Sequence, residues 1–170
     1  MAQFSVTGNK QVTGTGKSDV FVLDPDRLHS ASITDSGGAA DVLVVLDRPG
    51  RTAGEFLVRD NELIWRDYEG DEVRIQLNAD GTSPIEFFEW RRLPEDGTPY
   101  TQRNKILLPG DEITEANVTI ALTLGSDTLV LPTFAVSGDD PVEVYGNAGN
   151  DSLTGSDNAH SILYGGRGND

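Results

Sequence analysis

The stretch 145–170 reads YGNAGNDSLTGSDNAHSILYGGRGND and constrains the fold more than any other part of the chain. It holds Gly146-Asn147-Ala148-Gly149-Asn150-Asp151-Ser152-Leu153-Thr154, and then Gly165-Gly166-Arg167-Gly168-Asn169-Asp170. Both follow the nine-residue pattern G-G-x-G-x-D-x-U-x, with U a large apolar residue. Asn147 takes the place of the second Gly in the first unit, and the second unit is complete through its Asp. The first six positions need a turn with positive φ, which Gly permits and Asn tolerates. Such a turn aims carbonyl oxygens and the Asp carboxylate inward, the ligand set a hard divalent cation prefers. The last three positions make a short strand whose U side chain, here Leu153, fills a narrow core. One unit buries one apolar side chain and cannot fold alone, so stacked neighbours and an ion must supply stability.

The rest of the chain carries short apolar runs broken by Gly, Asp, Asn and Pro. Strands are expected at 20–23, 31–34, 42–46, 56–58, 63–65, 73–77, 85–90, 106–108, 118–124, 128–131, 142–145 and 162–164. Val118, Ile120, Leu122 and Leu124 alternate with Thr119, Ala121 and Thr123, the period of a half-buried strand. Val73, Ile75 and Leu77 repeat the pattern. Only Asp111–Asn117 (DEITEAN) offers a helical turn or two. The class predicted is all-β: an N-terminal β domain, sandwich-like or roll-cap-like, over 1–98, a strand segment over 99–136, and the start of a parallel β-roll over 137–170. The loop Leu93–Tyr100 (LPEDGTPY) marks the first junction and Ser137–Pro141 (SGDDP) the second.

Charge and composition narrow the function. Asp and Glu number 28 against 13 Lys and Arg, a net charge of −15, and there is no Cys among 170 residues. A chain this acidic is repelled by nucleic-acid backbones and anionic membranes. Without Cys there is no disulfide framework and no Cys-ligated zinc or iron–sulfur site. No apolar run approaches the ~18 residues that span a bilayer as a helix. Met1–Lys10 lacks the basic and apolar regions of a secretory signal.

The two nonapeptide units resemble the RTX (repeats-in-toxin, haemolysin-type) calcium-binding repeats. The resemblance implies a parallel β-roll in which turns two repeats apart, about eighteen residues, sandwich each calcium ion. Gly146 and Gly165 are nineteen apart, which puts the two good turns on one side of the roll. The intervening unit, Gly155–Tyr164, is degenerate, with His160 where the Asp belongs; the preceding unit, Ser137–Tyr145, keeps Val144 at U but has Val142 at the Asp position. The expectation is one partial site. Its carboxylates are Asp151 and Asp170, and its carbonyls come from Gly146, Asn147, Ala148, Gly149, Gly165, Gly166, Arg167 and Gly168. On the opposite side, Asp139, Asp140 and Asp157 are the carboxylates available. Weaker echoes occur earlier. Gly14-Thr15-Gly16-Lys17-Ser18-Asp19-Val20-Phe21-Val22 keeps Asp and U, and Gly125-Ser126-Asp127-Thr128-Leu129 keeps G-x-D-x-U. Ile33-Thr34-Asp35 followed by Asp41-Val42-Leu43-Val44 is similar to the segment that often follows the last RTX repeat. For each of these earlier Asp residues a solvated turn role is at least as well supported as a ligand role.

Catalytic readings find little to stand on, and the chain is expected not to be an enzyme. His29 and His160 are the only histidines, and there is no H-E-x-x-H, G-x-S-x-G or complete phosphate-binding loop. Gly14–Ser18 ends in Gly-Lys-Ser but lacks the required upstream Gly. The expected function is a calcium-binding segment of a larger polypeptide, exported by a type I system without an N-terminal signal and folding on meeting extracellular calcium. Calcium ions are the partner expected; no nucleic acid is, and membrane or glycan contact is left open. The alternative is a β-sandwich adhesion or carbohydrate-binding module with a Gly-rich linker tail, its aromatic face drawn from Trp65, Trp90, Phe87 and Phe88.

Overall fold

The computed structural model describes residues 1–35, 40–49, 54–133 and 138–170, without the side chains of Tyr100 and 138–140. The protein is all-β, with fifteen strands among the described residues. They are β1 (Ala2–Gly8), β2 (Gln11–Thr13), β3 (Asp19–Leu28), β4 (Ser30–Thr34), β5 (Val42–Leu46), β6 (Glu55–Arg59), β7 (Glu62–Arg66), β8 (Glu72–Gln76), β9 (Phe87–Arg92), β10 (Tyr100–Leu107), β11 (Val118–Ala121), β12 (Thr128–Val130), β13 (Gly138–Tyr145), β14 (Ser152–Thr154) and β15 (Ala159–Tyr164).

Eight strands form one continuous sheet in the order β1-β3-β5-β9-β10-β11-β13-β15. The first four are parallel to one another, the last four are parallel to one another, and the two blocks meet at the antiparallel pair β9–β10. On each side the chain winds. It passes from β1 to β2, β3, β4 and β5, alternating between the large sheet and a second one, and repeats this from β11 to β15. The second sheet of the N-terminal half is β2-β4-β8-β7-β6, parallel as far as β8 and closed by antiparallel strands. That of the C-terminal half is the pair β12-β14. The winding therefore includes β11 and β12, within the 99–136 segment.

Side-chain alternation explains why one sheet serves two cores. Phe21, Leu23, Leu43, Val45, Phe88 and Ile106 face the five-stranded sheet and pack on Ile33, Phe56, Leu63, Trp65, Val73 and Ile75. Leu107, Val118, Ile120, Val142 and Val144 point the other way, onto Leu122, Leu131, Leu129 and Leu153. The strand β5 is buried at every position, because a further cluster of Val42, Val44 and Leu46 with Val20, Val22 and Phe87 covers its second face.

Two local expectations are corrected. Asp111–Asn117 forms no helix; the helical turn among the described residues is a 3-10 turn at Pro94–Asp96, where Pro sets the first φ and Gly97 ends it. The strand beginning at Asp19 does not stop at Leu23 but continues through Pro25 to Leu28. Its pairing with β1 is irregular there, between Val6 and Gly8, so Pro25 sits where a missing N–H is tolerated.

Candidate metal centre

The two nonapeptide turns stack directly. Gly146 N–H donates to Tyr164 O (2.7 Å), Arg167 N–H to Asn147 O (2.8 Å) and Gly149 N–H to Arg167 O (2.9 Å). Asn147 (φ +71°) and Gly166 (φ +94°) occupy the equivalent left-handed position, which is why Asn can stand in for the second Gly. Gly168 approaches so closely that a Cβ there would collide with the Gly149 carbonyl. The carboxylates fold back across their own turns: a Cβ on Gly146 would lie 2.6 Å from Asp151 Oδ2, and one on Gly165 2.6 Å from Asp170 Oδ2. Ala148 pairs with Arg167 in an isolated parallel bridge.

A ladder of Asp residues links these turns. Asp151 N–H donates to Asp170 Oδ1 (3.1 Å), and Asp127 N–H donates to Asp151 Oδ1 (2.9 Å). The same relation recurs in the N-terminal half, where Asp19 N–H donates to Asp41 Oδ1 (2.6 Å) and Ala2 N–H to Asp19 Oδ1 (3.1 Å). Each carboxylate thus caps the amide of the Asp one winding earlier, or of Ala2 in the last case.

The ladder holds two kinds of Asp. Asp19 accepts from Thr15 N–H (2.6 Å) and Thr15 Oγ. Asp127 accepts from Thr123 N–H (3.0 Å) and Thr123 Oγ (2.9 Å). These Thr residues stand four before the Asp and satisfy the carboxylate from inside the protein. Burial pushes the Asp19 carboxyl up, but the Thr15 and Ala2 hydrogen bonds outweigh it and hold the group below the usual carboxylate range. Asp41 and Asp151 are different. Both are buried, and Oδ2 of each has no hydrogen-bond partner. Burial pushes Asp41 up, and the carboxylates of Asp35, Asp19 and Glu86 push the same way, against the Asp19 amide.

Asp19, Asp35 and Asp41 converge, each offering an oxygen within 4.8 Å of the others. Asp35 Oδ2 is buried without a partner, and Asp35 Oδ1 accepts from Gly16 N–H (3.3 Å). The sequence offers Asp19 in one loose echo and Asp35 and Asp41 in another; the convergence comes from winding. Residues 36–39, part of that echo, lie outside the described residues. In the C-terminal half Asn147 Oδ1 is also buried without a partner, while its amide donates to Leu122 O (3.1 Å) and Tyr145 O (3.0 Å). Asp151 and Asp170 are brought together through the ladder bond, but no third carboxylate joins them within that distance among the described residues. On the opposite side, Asp157 is exposed and the side chains of Asp139 and Asp140 lie outside the described residues.

Buried, unpartnered oxygens are costly, and a hard cation with oxygen ligands relieves that cost. The residues therefore fit calcium at both ends of the ladder. At the N-terminal end the fit rests on three carboxylates. At the C-terminal end it rests on the Asp151 carboxylate and the Asn147 side-chain oxygen, each buried without a partner.

The aromatic face has a different fate. Trp65 and Phe88 are core residues, and Phe87 lies under the Arg103 guanidinium. Trp90 instead borders a cavity of about 200 Å³ with Phe88, Gln102, Asn104, Glu143, Tyr145 and Tyr164. Tyr145 and Tyr164 stack at 4.8 Å, and Asn104 Oδ1 is buried without a partner.

No family profile matches the chain, and no curated protein matches it in sequence. Among solved structures it is similar to the extracellular lipase LipA from Serratia marcescens, at 20% identity and a TM-score of 0.43. That similarity covers 96% of this chain and 24% of the lipase. A likeness this distant carries no functional argument.

Proposed function

We propose that this chain is a calcium-binding segment of a secreted RTX-type protein, folding when it meets extracellular calcium. One observation carries the reading: Asp41 and Asp151, at the same rung of two separate windings, each keep a buried carboxylate oxygen without a partner. The charge balance supports it. At a net charge of −15 the ion-free chain repels itself, and calcium bound to the folded form alone adds its binding free energy to folding. When bound, calcium would neutralise these carboxylates and tie successive turns together. Asp19, Asp35 and Asp41 would hold it at one end; Asp151, Asn147 and the stacked carbonyls would hold it at the other, with Asp170 fixing the Asp151 amide. The role is binding, not catalysis.

Circular dichroism during a calcium titration, paired with equilibrium dialysis, tests the reading. The expected outcome is a gain of β signal and bound calcium in the 170-residue chain, larger when further repeats are appended. If neither chain gains structure or binds calcium, the reading fails.

A second reading, a carbohydrate-binding module, has the Trp90–Tyr145–Tyr164 cavity in its favour, since aromatic walls with a few polar groups suit a small polar ligand. Saturation-transfer NMR with a panel of monosaccharides would detect it, and loss of the signal in Trp90→Ala would place it there.

A further inference from the structure

The large sheet is hollowed beside the antiparallel pair β9–β10. On one face β9 carries Phe88 and Trp90, β10 carries Gln102 and Asn104, and β13 carries Glu143 and Tyr145, all bordering one cavity. Between β10 and β13, β11 offers that face only the short side chains of Thr119 and Ala121. We propose that the cavity binds a small alkylammonium ion, with Glu143 as its counter-ion and Trp90, Tyr145 and Tyr164 as its walls. The proposal is independent of the calcium reading, and it assigns the cavity a charged ligand where the carbohydrate reading assigns a neutral one.

Three observations carry it. First, Glu143 lines the cavity without a counter-ion. Its Oε2 accepts from the Thr119 hydroxyl (3.3 Å) and the Asn104 amide (3.4 Å), both long contacts. Among the described residues it has no ion-pair partner. The basic residues of β9 and β10 are engaged elsewhere: Arg91 pairs with Glu89, Arg92 with Asp47 and Lys105 with Glu115, while Arg103 lies over Phe87. Second, the walls are aromatic. Tyr145 and Tyr164 stack at 4.8 Å, and Phe88 and Trp90 lie 6.1 Å apart. Ring faces attract cations, Trp most strongly, and a neutral ligand would leave the partly desolvated carboxylate unpaired. Third, the cavity measures about 200 Å³. That is below the ~300–1,000 Å³ of drug-sized sites, so its ligand has few heavy atoms.

Charge and ring chemistry point the same way. Burial pushes the Glu143 carboxyl up against the Thr119 bond, as it does for a charge short of a counter-ion. Burial, with Glu143 adding to it, also pushes both Tyr145 and Tyr164 up, so both rings stay neutral phenols beside the ligand. The chain's net charge of −15 raises the local concentration of cations around the cavity. One carboxylate matches one positive charge. A ligand this small is expected to bind at about 1–10 mM.

Heteronuclear NMR on the full chain tests this, with calcium held constant and sodium chloride fixing the ionic strength. The titrant is n-butylammonium chloride, and 1-butanol is its neutral counterpart. The Trp90 indole N–H and the Gln102 and Asn104 side-chain amides are expected to shift saturably with the cation and little with the alcohol. Glu143→Gln keeps an oxygen for the Thr119 and Asn104 contacts but removes the charge, and is expected to weaken cation binding about tenfold. Tyr164 is 45% exposed, so Tyr164→Leu leaves the fold in place and is expected to weaken binding about threefold by removing one ring. Unshifted backbone amides of β5 show that each variant is folded. Cavity signals that stay still to about 100 mM butylammonium, well beyond the range of so small a ligand, overturn the proposal. So do equal responses to butylammonium and butanol, or an affinity unaltered in Glu143→Gln. If the cavity takes the cation and a calcium titration moves nothing, only the calcium reading fails.

Discussion

The N-terminal and C-terminal windings hold the same Asp ladder but meet its charge differently. In the N-terminal winding three carboxylates converge on a fully buried Asp41, and Thr15 satisfies the neighbouring Asp19. In the C-terminal winding the turns match the nonapeptide pattern far better, yet among the described residues fewer carboxylates converge. There Asp151 has one ladder partner on each side. A nonapeptide match reports turn conformation: where Gly and Asn must sit for backbones to stack. Cation capacity depends instead on how many carboxylates the winding brings together. The two properties peak in different halves of this molecule.

Their packing differs as well, and this gives the largest expected effect. Leu43 is fully buried in the larger core, whereas Leu153 is half-buried in a three-residue strand. Leu43→Ala is expected to cost about 3 kcal/mol in urea unfolding, and Leu153→Ala about 1 kcal/mol. Equal losses would mean that the two cores are equally consolidated.

The Thr caps come next. Thr15→Ala removes a donor to the fully buried Asp19, and Thr123→Ala removes one from the more accessible Asp127. Thermal unfolding should register about 2 kcal/mol for the first and about 1 kcal/mol for the second, as hydrogen bonds to charged groups differ with burial. The order reverses if the C-terminal ladder is the stiffer one.

The smallest effect is a contrast in pH dependence. The Asp19 carboxyl is held below its usual range, so its stabilisation is present above that range and is lost as pH falls through the lowered value. Glu143 in the C-terminal half behaves oppositely. Burial pushes its carboxyl up, opposed by the Thr119 hydroxyl. The folded state then favours the protonated form, and stability declines as pH rises from the usual carboxylate range through the raised value. Glu143→Gln should flatten the decline on the alkaline side, and Asp19→Asn the loss on the acid side. Stability measured from pH 3 to 8 in each variant checks both signs.

The sequence makes the strand content legible because period-two alternation survives in single strands. Val118, Ile120 and Leu122 enter one core while Ala121 enters the other. It hides β1 and β2, whose polar residues match a solvated surface. It also hides the antiparallel pair β9–β10, a long-range pairing that reverses the sheet. The turn stack at Gly146–Asp151 and Gly165–Asp170 is local and reads directly from the spacing. The meeting of Asp19, Asp35 and Asp41 is not local. It depends on how β3, β4 and β5 wind, and no short motif encodes that.

On the proposed reading, the unpartnered oxygens of Asp41 and Asp151 take calcium. Following the backbone amides of Asp19, Asp41, Asp127 and Asp151 during a calcium titration tests it most directly. Saturable shifts are expected at both ends of the ladder, with those at Asp19 and Asp41 abolished in Asp41→Asn. Amides that stay unmoved to about 20 mM calcium, beyond the weakest extracellular sites, together with no bound calcium by dialysis, would contradict it.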